Sequence, residues 1–111
     1  MSVDWGDYER VHADRRNLRI HLFAVPLFDI AFPIGLIFLA LGEFILVAVS
    51  ILLAIGSMAL QKIGHSIEVI EARPFSGPLN FLQRWFSEQY FRFPMFVITG
   101  RWLRSYKAGG R

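Results

Sequence analysis

From Ile20 to Leu60 the chain carries no Lys or Arg, and Gly42-Glu43 divides this stretch into two apolar halves. Each half is long enough for a helix across a hydrocarbon core of roughly 30 Å at ~1.5 Å rise per residue, the second near the short limit. The pattern predicts one helix from about Arg15 to Leu41, with its apolar span at about 20–41. A tight turn follows at Gly42-Glu43, and then a second span at about 44–60. Asp14 is placed to cap the first helix, its carboxylate accepting from the free amides of the first turn. Pro26 and Pro33 fall inside that helix and should kink it, which membrane helices tolerate.

The flanks follow another rule. Residues 4–17 read as a short polar or interfacial helix followed by a break. The second helix should run on through Gln61, His65 and Glu68 to about Arg73, where Pro74 stops it, with Ser76-Gly77-Pro78 as a turn. From Leu79 to Phe93, Leu82, Trp85, Phe86, Gln89 and Phe93 fall near one helical face, while Gln83, Arg84, Ser87, Glu88 and Arg92 fall mostly elsewhere. This predicts an amphipathic interfacial helix at about 79–93, ended by Pro94, and a second short one at about 95–106 anchored by Trp102 and Tyr106. The expected fold class is therefore all-α: a membrane-embedded hairpin of two spans, a polar N-terminal helix and C-terminal interfacial helices. All of it forms a single integral membrane domain over 1–111.

Composition strengthens the membrane expectation. Of 111 residues, 54% are hydrophobic and 11 are Phe, more apolar surface than so short a chain can bury within itself. All 12 Lys and Arg lie outside the two spans, so the positive-inside rule puts both termini in the cytoplasm. That means the inner membrane in a bacterium or the endoplasmic reticulum in a eukaryote. The acidic, polar start does not resemble a cleavable signal peptide. A net charge of +3 gives no reason to expect nucleic acid, and the absence of Cys excludes disulfides, thiolate ligands and a cysteine nucleophile. Ala48, Ser50, Ala54, Gly56 and Ala59 would permit close helix packing and suggest a homodimer.

The three histidines carry the candidate chemistry. An antiparallel hairpin brings His21, at the start of the first span, to the same membrane surface as His65, just past the second. His12 lies half a turn out of phase with His21 on a continuous helix, so it joins them only if the chain bends near Asp14. Glu68 follows His65 at helical spacing, with Gln61 one turn earlier; Glu71 is off that face. Neutral imidazoles with one carboxylate suit a non-haem Fe(II) centre with positions open for oxygen and substrate, and zinc would accept the same donors. Isolated interfacial histidines more often contact headgroups, so the case rests on the set. Asn17 shares the face of His21. Asp29, an intramembrane carboxylate two turns further on, either orients a polar group of the substrate or hydrogen-bonds Ser50 or Ser57 across the hairpin. Arg15, Arg16, Arg19 and Arg73 flank the site as topology determinants or lipid-phosphate contacts, and Arg19 and Arg73 are the candidates for a substrate carboxylate. Three histidines are too few for a histidine-box di-iron hydroxylase.

With these residues placed, His12-Ala-Asp-Arg-Arg-Asn17-Leu-Arg-Ile-His21 followed by Pro26 resembles a family's opening motif of His, Asn, His and Pro. Ile63-Gly64-His65-Ser-Ile-Glu68 with Glu71-Ala-Arg73-Pro74 resembles its second, and Phe96-Val-Ile-Thr-Gly100-Arg101 a closing stretch. The family is that of small membrane proteins typified by the yeast 2-hydroxy fatty acid dioxygenase of phytosphingosine breakdown. The resemblance covers roughly residues 8–35 and 60–104. It implies an Fe(II)-dependent α-oxidation in which molecular oxygen cleaves the C1–C2 bond of a 2-hydroxy fatty acid. It makes His12, His21 and His65 the candidate iron ligands, with Glu68 a fourth. The chain departs from longer relatives in having two clean spans and a longer gap from His65 to Pro74, which leaves the acidic ligand open between Glu68 and Glu71. The rival expectation is a non-catalytic lipid-binding scaffold or partner subunit.

Overall fold

A computed structural model describes residues 3–109, and all regular structure among them is helical. In chain order the elements are α1 (Trp5–Arg10), α2 (Arg15–Ala40), α3 (Phe44–Ser66), α4 (Pro78–Ser87), a π-helical turn (Glu88–Arg92), α5 (Phe93–Ile98) and α6 (Arg101–Ala108). The expected all-α class, with two helices long and apolar enough to cross a membrane, is what the chain forms.

The α2–α3 hairpin is the frame. Asp14 caps α2 as its sequence position predicts, accepting from the Arg16 amide at 2.8 Å. At the far end Gly42 takes φ +73°, and the Glu43 amide reaches back to the Phe38 carbonyl at 2.9 Å, closing the helix with a glycine-dependent reversal. The two helices touch closely where Gly35 meets Ser50: a Cβ on Gly35 would lie 3.1 Å from the Ser50 Cβ. Only 22% and 17% of the most apolar windows of α2 and α3 are buried, which distinguishes them from core helices of a water-soluble domain.

Two expected boundaries move. α3 stops at Ser66 instead of running to Arg73. The amides of Ile67 and Glu68 turn back to the carbonyls of Gly64 and His65, and Glu68 folds toward the start of α2. Pro94 does not end the C-terminal helix. The π turn lies immediately before it, the Phe93 amide bonds to Glu88 O, and Pro94 occupies the first turn of α5, where a missing N–H costs nothing. Helical structure therefore runs unbroken from Pro78 to Ile98.

This C-terminal arm lies against α2, antiparallel to it. Phe86 packs on Phe32, Tyr90 on Phe28, and Phe93 on His21. Proline inside α2 also leaves a carbonyl for the arm: Pro33 cannot donate to Asp29 O, and the Tyr90 hydroxyl does so instead at 3.2 Å. The core sits at one end of the hairpin, where Tyr8, Leu18, Val25, Phe93 and Phe96 cluster with Trp5, Trp102 and Tyr106 around them. Trp102 Nε1 donates to Leu18 O, and Arg15 donates to the carbonyls of Tyr106 and Lys107, tying α6 to the base of α2.

Candidate metal centre

The bend that His12 needs is present. α1 ends at Arg10, the chain turns through 11–14, and His12 swings over the first turns of α2. His21 projects inward from α2, and His65 comes from the last turn of α3. One ring nitrogen from each of the three lies within 4.8 Å of the others. The ring centroids stand 5.1, 4.7 and 4.8 Å apart, with each pair nearly perpendicular.

The nitrogens that meet are free to bind. His12 Nδ1 lies 2.8 Å from Tyr8 O and His21 Nδ1 lies 3.2 Å from Asn17 O. A nitrogen facing a carbonyl oxygen must carry the proton, so Nε2 is left as the lone pair in both rings. Both Nε2 atoms are buried and unpartnered. The His65 Nδ1 is likewise buried without a partner. Three orphaned ring nitrogens clustered inside a protein are unfavourable unless something shared satisfies them. Backbone carbonyls that fix ring tautomer and orientation are the usual second layer around metal-binding imidazoles.

Glu68 is not among these groups. Its Oε1 accepts from the amides of Ala13 and Asp14 at 3.1 and 3.0 Å, and its Oε2 accepts from Asn17 Nδ2 at 2.6 Å. The expected i, i+3 pairing with His65 required α3 to continue, and α3 has ended. Glu68 instead clamps the bend that delivers His12. Asn17 is part of the same clamp: its side chain faces Glu68 and Gly64, where a methyl group would collide with Oδ1, while its backbone carbonyl steadies His21. Glu71 is exposed on the segment after α3.

The carboxylate beside the imidazoles is Glu88, from the π turn. Its Oε2 lies 3.6 Å from His12 Nε2 and accepts from the Tyr8 hydroxyl at 2.7 Å. Burial alone would push this carboxyl up. The neighbouring imidazoles and the Tyr8 hydroxyl, which donates to it, work against burial and hold the group below its ordinary value. Burial and then the Glu88 charge raise the Tyr8 phenol well above its ordinary value, so Tyr8 stays a donor. The Tyr8 ring stacks on His12 at 4.0 Å and 11°. Sequence reasoning missed Glu88 because helical phase set it on the polar side of an amphipathic helix. The available signal was its neighbour Gln89, a polar residue on the aromatic face.

Gln89 is fully buried, and its amide exchanges two hydrogen bonds with that of Gln61, at 2.9 and 2.8 Å. Gln61 Nε2 also donates to Ser57 Oγ, which donates to Ala24 O. This buried chain ties the π turn, α3 and α2 together next to the histidines. Asp29 is hydrogen-bonded to neither Ser50 nor Ser57, whose hydroxyls donate to Leu46 O and Ala24 O; its Oδ1 is buried with no partner. Arg19 donates to the Tyr106 hydroxyl and lines an open groove with Arg16, Ile20, Phe23 and Leu60. Arg73 is exposed. Neither arginine is held against the imidazoles by a hydrogen bond.

Compared with protein-family models, curated proteins and solved structures, the chain matches none.

Proposed function

We propose that this protein is an integral membrane, Fe(II)-dependent dioxygenase that shortens 2-hydroxy fatty acids, or a closely related lipid, by one carbon at the cytoplasmic face. The observation that carries the reading is the convergence of three unpartnered imidazole nitrogens, with the His12 and His21 rings each held through the other nitrogen by backbone. These are the same three histidines that the resemblance to the 2-hydroxy fatty acid dioxygenase family makes iron ligands.

Fe(II) held there supplies a centre that binds and activates oxygen, with zinc as the alternative occupant. In the overall reaction the C1–C2 bond breaks: a 2-hydroxy acid and O2 give the acid one carbon shorter, carbon dioxide and water. The four electrons that oxygen takes up come from C1 and C2, so no other reductant is required. His12, His21 and His65 would hold the ion, and the aromatic layer of Tyr8, Phe93 and Phe96 would keep bulk water from it. Asp29, with its unpartnered buried oxygen, orients a polar group of the lipid; Asn17 contributes by fixing the ligand geometry. Arg19, at the head of an apolar groove, and Arg73 are the residues assigned to the carboxylate headgroup. The site lies at the end of the hairpin where both termini would face the cytoplasm.

The test is metal content of the detergent-purified protein alongside His21→Ala and His65→Ala, followed by turnover of 2-hydroxy fatty acids with oxygen. About one iron per chain, lost in both variants, with a product one carbon shorter, is the expected result. Failure to bind metal after anaerobic Fe(II) loading would sink the oxygenase and favour a lipid-binding scaffold.

A further inference from the structure

The three histidines supply neutral donors only. A divalent ion among them would retain its full charge in a largely buried site, which is costly without an anion. The arrangement of carboxylates around the cluster decides which group can provide one. Glu68 already accepts from Ala13, Asp14 and Asn17, and withdrawing it would strip the turn that carries His12. Glu71 is exposed on the segment after α3. Glu88 differs on each count. Its Oε2 lies 3.6 Å from His12 Nε2, too long for a hydrogen bond and close to the separation of two donors sharing one ion. The Tyr8 hydroxyl takes one of its acceptor positions, and a carboxylate offers about four.

We infer that Glu88 is the anionic fourth donor of the metal centre, completing a set of three imidazoles and one carboxylate. Tyr8 and the Gln61–Gln89 pair act as its positioning residues. This rests on the metal-site reading above and deepens it. The turn supports the assignment: a single π turn within a longer helix often marks a functional site, and here it begins at Glu88 itself. The double amide bond of Gln89 to Gln61 then fixes the backbone of the next residue to α3, which also carries His65. With one charge neutralised by Glu88, the second is left for an anionic substrate, as a 2-hydroxy acid would be.

Co(II) is the probe, because its visible bands report both occupancy and ligand type. The full chain in detergent should bind it saturably. Glu88→Gln, which keeps shape and an acceptor for Tyr8, should weaken binding about 10–100-fold and shift the bands. Glu88→Asp, which keeps charge but shortens reach, should fall between. The metal-free thermal midpoint is read beside each titration, since a purely structural contact to His12 would lower that midpoint while leaving the bands of the bound form unchanged. Equal affinity and an identical spectrum in Glu88→Gln, with binding lost in His21→Ala, would overturn the role of Glu88 and leave the histidine site standing. If Glu88→Gln does not fold, unchanged affinity and bands in Glu88→Asp overturn it in the same way. Absence of saturable Co(II) binding in the unaltered protein would remove the metal site, and this inference with it.

Discussion

The two ends of the α2–α3 hairpin are built on opposite plans. At the histidine end, side chains from α1, the π turn, α5 and α6 close over α2, and His21, Asn17, Leu18, Gln89 and Phe96 have no exposed surface. At the other end only the two helices and their glycine turn are present, with Leu41, Phe44 and Ile45 exposed by 68, 70 and 82%. Exposed apolar area costs about 25 cal/mol per Å² in water, so the bare end favours apolar surroundings. The packed end holds polar groups that an apolar solvent would penalise; it pairs Glu68 and the two glutamines internally and leaves the three imidazole nitrogens unpartnered. The two helices are long and apolar enough to cross a membrane, and a bilayer would cover the tip while protein contacts order the head. The histidine cluster sits where the protein controls geometry itself.

Glycine-to-alanine changes at the two ends are the sharpest way to break this contrast. A methyl on Gly64 meets Asn17 Oδ1 and Cγ and the Ile20 side chain, inside the clamp that holds His12 and His65 in register. Gly64→Ala should cost about 1–3 kcal/mol or more, as overpacking of a tight contact does, and should abolish metal binding along with it. Gly56, on the same helix toward the tip, has nothing within 4 Å of a built Cβ. Gly56→Ala should be neutral or stabilise α3 by up to ~1 kcal/mol, since alanine loses less chain entropy in a helix. Thermal unfolding in one detergent compares the two. Equal losses would mean that both ends are packed alike, against the structure.

What the sequence disclosed divides along the same line. The tip is legible because it obeys one local rule: an apolar run with no basic residues, broken by a glycine that can turn. The three histidines were legible as candidates through their places relative to those runs, and the bend at Asp14 that unites them was marked by a capping residue. The rest of the head was not. Glu68 was read on a helix that runs past His65, but whether α3 continues depends on amides 54 residues away in sequence, at Asp14. Glu88 was read from helical phase, and a π turn alters phase locally. Gln61 and Gln89 each stood on a face where a polar residue needs a partner; that they are each other's partner is a tertiary fact. Periodicity sees solvent against interior, and it cannot see which interior groups meet.

The glutamine pair gives the next, smaller test. Gln89→Ala removes one amide and leaves Gln61 buried beside the π turn with its carbonyl oxygen unpartnered. An orphaned buried polar group costs about 1–3 kcal/mol, and that is the expected loss. Replacing both by leucine removes the unsatisfied group together with its partner, so the double variant should recover much of that stability. Metal affinity is expected to stay reduced in both, because the tie that places Glu88 is gone from each. A double-mutant cycle on unfolding, with Co(II) titration of each variant, separates the two effects. Recovery of affinity together with stability would show that the pair is only packing.

The smallest effect is expected at the entrance to α2, where cap and pH can be set against each other. The hydrogen bonds of the Arg16 side chain, working against burial, keep the Asp14 carboxyl below its ordinary value of 3.8. Its oxygens accept from the Arg16 amide and Nε at 2.8 and 3.1 Å and from the guanidinium Nη2 at 2.9 Å. A group whose folded value is depressed stabilises the fold while ionised. Its contribution is therefore complete well above 3.8 and disappears as the pH falls through that value to the lower folded one. Asp14→Ala should cost about 1 kcal/mol at pH 7, the usual worth of a helix cap. The gap between variant and parent should close on acidification below 3.8, measured by thermal midpoints across pH 2–7. Asp14→Asn, which can cap without charge, should retain most of the stability at pH 7 and lose the acid dependence of this contribution. A gap that persists at pH 2 would mean that Asp14 acts through the shape of the bend, which Glu68 also holds through the Asp14 amide. The cap would then belong to the machinery that presents His12, and metal affinity in Asp14→Ala would fall further than its stability does.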